Sequence, residues 1–277
     1  MSTDTAPRVT TVDLAEPPVA PAHVPGDRAT RPVDRREVAP APAPAPPKLD
    51  QATSERSDKW LVPLLVLVVG MFMSVLDTSI VNVAISAIQT DFGGSTADVA
   101  WISTAYSLVL GVVVPASAWL GDRLGMSRVY ITALAAFALS SALCGLAWNL
   151  DSLIAFRVIQ AIPGGLLPAL CLTMVYRLVP PAKIGAAMGI YGLGIIVAPA
   201  IGPALGGYLV EYLSWRLVFY INIPVGILGV VAALIWLPKF AQAPTRRFDL
   251  AGFLAIATAL TALLLAFSEG PSWGWTG

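Results

Sequence analysis

The sequence predicts an all-α integral membrane protein built on a bundle of seven transmembrane helices. Three observations carry this. Of its 277 residues 56% are hydrophobic and 12% charged, where soluble domains carry roughly twice that share of charge. The mean hydropathy is +0.74. Apolar runs of about twenty residues or more, the length that crosses a hydrocarbon core, recur from Trp60 onward. The net charge of zero hides an asymmetry: about half of the charged residues precede Trp60, and most of the rest lie between apolar runs.

Residues 1–57 are rich in Pro and Ala and include the run from Ala39 to Pro47, which can neither hold a helix nor bury a core. The expectation is a disordered cytoplasmic tail. It contains no apolar stretch followed by a small-residue cleavage site, so the first span is expected to direct insertion itself. Spans are predicted at 60–88, 98–120, 128–148, 152–179, 183–212, 217–237 and 249–268. At about 1.5 Å of rise per residue each covers a core of roughly 30 Å. The connections carry turn and breaker residues such as Asp91-Phe92-Gly93-Gly94, Trp148-Asn149-Leu150-Asp151 and Pro180-Pro181. Residues 58–238 then form a six-helix domain, and 239–277 supply a loop, a seventh helix and an outer segment.

Basic residues set the orientation. Arg123 and Arg128, then Arg177 and Lys183, then Lys239, Arg246 and Arg247 fall in alternate connections, on the same side as the Arg-containing tail. Those connections read as cytoplasmic, with the N-terminus inside and residue 277 outside. The opposite connections hold Asp91, Asp98, Asp151, Glu211 and Glu269, with Arg216 as their one basic residue. Trp60, Trp101, Trp119, Trp148, Trp215, Trp236 and Trp273 stand near span ends, as interfacial anchors do.

Composition also excludes chemistry. The single histidine, His23, lies in the polar tail, and the two cysteines, Cys144 and Cys171, lie inside apolar runs. No His-based metal cluster or Ser-His-Asp arrangement can be assembled, and no nucleotide-binding loop is present. No enzyme activity, metal, cofactor or nucleic-acid partner is expected.

Two ionisable residues fall well inside predicted spans, Asp77 in the first and Arg157 in the fourth. Charge at that depth is costly and ordinarily faces a protein interior or a wet cavity. Desolvation favours the neutral acid and a nearby Arg favours the carboxylate; that competition is what lets such a group load and release protons. A purely structural ion pair or a hydrogen-bonded neutral Asp would account for the same residues. Counted inward from the outer span ends, Arg157 lies roughly 10 Å deep and Asp77 roughly 20 Å deep, so spacing leaves their contact open.

Four motifs supply a resemblance. Leu120 to Arg128, LGDRLGMSR, places Asp122, Arg123, Gly125 and Arg128 in a tight charged turn where Gly125 permits left-handed backbone. On spacing alone a solvated loop explains it, but it resembles the cytoplasmic loop signature of the major facilitator superfamily. Ala118 stands where that family has Gly, and Met126-Ser127 where basic residues are common. Leu76 to Ala84, LDTSIVNVA, is similar to the first-helix motif of the fourteen-helix drug:proton antiporters, with Ser79 for Thr and Ser86 where Pro is common. Leu153 to Gly165, LIAFRVIQAIPGG, resembles the fourth-helix motif built around an Arg implicated in proton transfer, here Arg157 with Gln160 nearby. Ala161 replaces a customary Gly. Ala198 to Gly207, APAIGPALGG, looks like the antiporter motif of efflux members through Gly202, Pro203, Gly206 and Gly207. Pro203 removes an intrahelical hydrogen bond, and Gly185/Gly189 and Gly202/Gly206 offer small faces to another helix, a packing role that would equally explain the glycines. Arg246 to Gly274 is similar to the flanks and body of the seventh helix in the same family.

The resemblance implies the N-terminal six-helix bundle of a major facilitator superfamily transporter plus a seventh, linker helix, in a multi-pass plasma-membrane protein. It implies proton-coupled antiport of drugs or other amphipathic compounds, with Asp77 and Arg157 coupling protons and Asp77, Asn82 and Gln160 at the substrate cavity. The partners are amphipathic substrates, protons and the bilayer. A second six-helix half is expected, because such carriers rock two halves around a midplane site. An exporter of one specific metabolite, lipid or siderophore, and a non-transporting truncated scaffold, are the alternatives.

Overall fold

Apolar surroundings give a backbone no water to bond, so each N–H and C=O must be satisfied by its own helix or by a neighbour. The described residues of this computed structural model are 59–240 and 248–273, and they form eight α-helices and no strand. These are α1 (Leu61–Phe92), α2 (Thr96–Leu124), α3 (Met126–Gly145), α4 (Leu150–Leu178), α5 (Ile184–Tyr212), α6 (Leu217–Tyr220), α7 (Asn222–Trp236) and α8 (Leu250–Trp273). A 3₁₀ turn, Pro181–Lys183, leads into α5. The expected tail, Arg246, Arg247 and the segment after Trp273 lie outside the described residues.

Six stretches are long and apolar enough to cross a membrane: α1, α2, α3, α4, α5 with its 3₁₀ turn, and α6 continued by α7. The shorter apolar stretch Leu250–Leu263 of α8 packs on α2, and Trp119 meets Phe248 at 4.7 Å between ring centroids. The seventh predicted span, 249–268, corresponds to α8, whose apolar stretch Leu250–Leu263 is shorter than those six. The first six predicted and observed spans agree within a few residues, save in two places. Helix α1 runs on to Phe92, and the span expected at 217–237 is written as two helices meeting at Ile221. Ile221 keeps helical backbone there, with φ −60° and ψ −26°. What the chain loses is a ladder rung, because Pro224 has no N–H to offer the carbonyl of Tyr220.

Reversals between helices use local chemistry. Gly93 and Gly94 take φ of 76° and 100°, left-handed values that end α1, and Ser95 and Asp98 form a reciprocal capping box that starts α2. Asn149 and Ser152 do the same for α4. Gly125, at φ 92°, turns the chain between α2 and α3, as its place in the charged loop predicted.

Helix α1 is the hub. Its pairing with α5 is the most extensive in the bundle, and it runs along a stripe of small residues at every fourth position: Gly194, Ala198, Gly202 and Gly206, all buried. A Cβ at Gly206 would come within 3.2 Å of the Ile80 carbonyl oxygen, and one at Gly202 would meet Ser79. Gly202 and Gly206 therefore serve the predicted close approach. Gly185 and Gly189 do not, since nothing lies within 4 Å of a Cβ built at either. The correction follows from helix phase: 185 and 189 fall off the 194–198–202–206 line and face outward.

The same interface repairs proline damage. Pro203 leaves the carbonyl of Pro199 without its i+4 donor, and the Ser79 hydroxyl of α1 donates to that oxygen at 3.3 Å. Pro168 leaves Gly164 in the same position, and Ser74 donates to its carbonyl at 2.9 Å. Two serines about one and a half turns apart on α1 thus each supply one missing donor, one to α4 and one to α5, and Pro168 and Pro203 sit inside continuous helices.

Charge collects at the two ends. At one, Asp122 accepts from Arg177 at 3.1 Å, Ser127 donates to the Pro238 carbonyl at 2.6 Å, and Arg128 and Lys239 line one cavity. At the other, Arg216 donates to Asp91 at 3.0 Å, Trp215 Nε1 donates to the same oxygen at 3.0 Å, and Arg216 stacks on the Trp215 and Phe92 rings.

Candidate functional site

Asp77 occupies the middle of α1, sixteen residues from Leu61 and fifteen from Phe92. Arg157 and Gln160, one turn apart on α4, share a face by the i, i+3 spacing. The structure brings all three together. Arg157 NH1 donates to Asp77 Oδ2 in direct ion-pair contact and to Gln160 Oε1 at 2.9 Å, while Gln160 Nε2 donates to Asp77 Oδ1 at 3.2 Å. The depth count left this contact open because it started from helix ends. A 32-residue helix is about 48 Å long against a core of roughly 30 Å, so part of α1 overshoots the core and an end-based depth is too large.

Asp77 is 0% exposed, Arg157 1% and Gln160 0%. Removing two such ions from water costs several kcal/mol per ion, offset only where geometry is good and the remaining donors and lone pairs are used. Most are used here. The guanidinium lies 3.8 Å above the Tyr106 ring of α2 and 5.8 Å from the Phe219 ring of α6. Cys144 on α3 donates its thiol to Gln160 Oε1 at 3.3 Å. Two buried atoms, Tyr106 Oη and Arg157 Nε, have no partner among the described residues.

Sequence reasoning missed the third donor to the carboxylate. Asn222, the first residue of α7, is 2% exposed and donates Nδ2 to Asp77 Oδ1 at 2.9 Å. The same nitrogen donates to Ser141 Oγ of α3 at 3.0 Å, and Ser141 donates onward to the Phe219 carbonyl at 2.8 Å. A signal was available: an amide inside an apolar run, two residues before Pro224, in Val218-Phe219-Tyr220-Ile221-Asn222-Ile223-Pro224. The site thus joins α1, α3, α4 and α7, with α2 and α6 supplying aromatic walls.

The other sequence candidates lie elsewhere. Asn82 is on the exposed side of α1 and accepts from Ser103 at 2.8 Å; it does not share the enclosed environment of Asp77 and Gln160. Asp122 pairs with Arg177, and Arg123 lies 5.1 Å over the Trp119 ring, so the loop residues engage α4 and α2 respectively. Gly202 and Gly206 face α1, while Pro203 is exposed and nothing lies within 4 Å of a Cβ at Gly207. The GPxxGG core therefore presents two faces, one packed and one open. No group of three or more His, Cys, Asp or Glu placed to hold a metal occurs among the described residues.

Comparison with known proteins places this arrangement. The sequence profile of the Major Facilitator Superfamily matches residues 67–277. MdtD of Escherichia coli strain K12 / DH10B, whose name assigns it provisionally to multidrug resistance, is 38% identical over 225 residues, covering 81% of this chain and 46% of that protein. YhcA of Bacillus subtilis strain 168, named as an uncharacterized MFS-type transporter, is 35% identical over 213 residues, 77% of this chain and 40% of that protein. The chain spans less than half the length of either relative. Among solved structures, a bacterial homologue of the human lysosomal transporter Spinster, inward-facing and occupied, aligns with a TM-score of 0.56 at 22% identity over 68% of this chain and 47% of the other. The peptide transporter POT in complex with sulfate aligns at 0.59 and 16% identity over 76% of this chain and 47% of the other. Those two likenesses speak for the fold alone. With the profile spanning all the long helices but the first few residues of α1, and both relatives above 30% identity, this chain belongs to the Major Facilitator Superfamily.

Proposed function

We propose that the chain is the N-terminal part of a proton-coupled exporter of drugs or other amphipathic compounds, with Asp77 as the proton-linked acid and Arg157 as its counter-charge. The observation that carries the reading is burial: among the described residues, Asp77 and Arg157 are the only buried charged side chains. A charge at that depth is retained at high cost unless it has work to do, and an acid is the group that exchanges protons. The likeness to MdtD supports multidrug substrates, and the GPxxGG core on α5 supports export. The family is one of transporters, and the whole carrier of which this chain is a part acts as a transporter and not as an enzyme. In this reading it sits in the plasma membrane with its basic end and N-terminus in the cytoplasm. Asp122, Arg123, Gly125 and Arg128 form the gating loop, and a second six-helix half supplies the facing wall of the cavity, to which Asn82 and the open face of Pro203 and Gly207 contribute.

The test is efflux of a fluorescent amphipathic cation from cells that express the chain as part of a carrier of its relatives' length. The expected result is extrusion that collapses when a protonophore dissipates the gradient. Extrusion that survives the protonophore would overturn proton coupling.

A further inference from the structure

Hydrogen-bond polarity around Asp77 has a consequence for span six. As a carboxylate, Asp77 accepts from Arg157 NH1, Gln160 Nε2 and Asn222 Nδ2. When it binds a proton it gains an O–H, and that donor faces three donors. Arg157 has no acceptor to offer. Gln160 has one, but its Oε1 already accepts from Arg157 at 2.9 Å and Cys144 at 3.3 Å. Turning that amide over would forfeit both bonds and set its NH₂ against the guanidinium. Asn222 is different, because among the described residues nothing donates to its Oδ1, and both of its bonds run through Nδ2.

From this geometry we infer that Asn222 is the positioning residue that reads the protonation state of Asp77, by turning its amide over when the acid is neutral. The inference rests on the proton-coupling reading above. Balance is simple: Asp77 takes a proton from a hydronium ion, whose O–H bond breaks to leave water, and the new carboxylic O–H donates to Asn222 Oδ1. The rotated amide no longer donates to Ser141. The Ser141 hydroxyl, which donates to the Phe219 carbonyl at 2.8 Å in the charged state, then turns to the Asn222 oxygen and releases that carbonyl. Release occurs at the α6–α7 joint, where Pro224 has already removed one rung from the helix. A proton on α1 is thereby reported at the weakest point of span six.

Infrared difference spectroscopy of the chain in lipid nanodiscs, between alkaline and acid pH, tests this. The sequence has three asparagines, Asn82, Asn149 and Asn222, so side-chain ¹³C-labelled Asn gives few carbonyl bands. The double variant Asn82→Ser and Asn149→Ser leaves Asn222 as the one labelled amide and keeps every hydrogen bond to Asp77, and Ser retains the cap at 149. The expected result is a carboxylic-acid band on acidification, lost in Asp77→Ala, which adds no labelled amide, accompanied by a shift of the Asn222 band that Asp77→Ala also abolishes. An acid band with an unmoved Asn222 band would overturn the inference and leave proton coupling standing. No acid band at any pH at which the chain stays folded would overturn both.

Discussion

Two Asp–Arg pairs in this bundle have nearly the same chemistry and opposite surroundings. Asp77–Arg157 joins α1 to α4 at 0% and 1% exposure, inside a ring of amides, a thiol and two aromatic rings. Asp122–Arg177 joins the end of α2 to the end of α4 at 33% and 41% exposure. The first is held by fixed partners and little water, so changing its charge state forces neighbours to rearrange. The second is partly solvated and screened by salt, so it can open at little cost. In the proposed reading, burial and not residue type separates the coupling pair from the gating pair.

Substitutions can break or sharpen that contrast. The largest effect is expected at Arg157→Leu, which strands a buried carboxylate and should lower stability by about 3–5 kcal/mol, read from thermal unfolding in detergent. Addition of Asp77→Asn to that variant should recover part of the loss, because the stranded charge goes with it. Next comes Gly206→Val on the packed stripe. Its side chain meets the Ile80 backbone oxygen and Val83, and overpacking of this kind costs about 1–3 kcal/mol in the same assay. Arg177→Ala should cost no more than about 1 kcal/mol, and the small difference from wild type should shrink further in high salt. Smallest is Gly185→Ala, which meets open space and should be neutral or gain up to about 1 kcal/mol from helix propensity; a loss there comparable to Gly206→Val would refute the assignment of the packed face.

Much of the fold was legible in the sequence because membrane helices obey a length rule and a charge rule that act on local composition. Spans 2 to 5 follow the apolar runs closely for that reason, and Gly125 could be assigned its left-handed turn from its neighbours. Phase between helices is another matter. Gly185/Gly189 and Gly202/Gly206 share one spacing, and only tertiary packing decides that the second pair meets α1. At the site, Asp77 and Arg157 stood out because charge is rare in apolar runs, and Gln160 came with the resemblance of Leu153 to Gly165 to the family's fourth-helix motif. Asn222 carried a signal that sequence reasoning missed, an amide within an apolar run; Ser141, Cys144 and Tyr106 carried none, since each is an ordinary residue for a membrane helix until separate helices converge on one site. Ser74 and Ser79 were hidden for the same reason: their role as substitute donors depends on which proline-containing helix lies opposite.

The most direct test of the central claim compares wild type with Asp77→Asn in proteoliposomes containing a carrier of the relatives' length. Two quantities are measured, transport driven by an imposed pH gradient and exchange of labelled for unlabelled substrate with no gradient. The account predicts that Asp77→Asn abolishes gradient-driven transport while exchange persists, because the substrate path remains and the proton-linked acid is gone. Gradient-driven transport at wild-type rates in Asp77→Asn would contradict it.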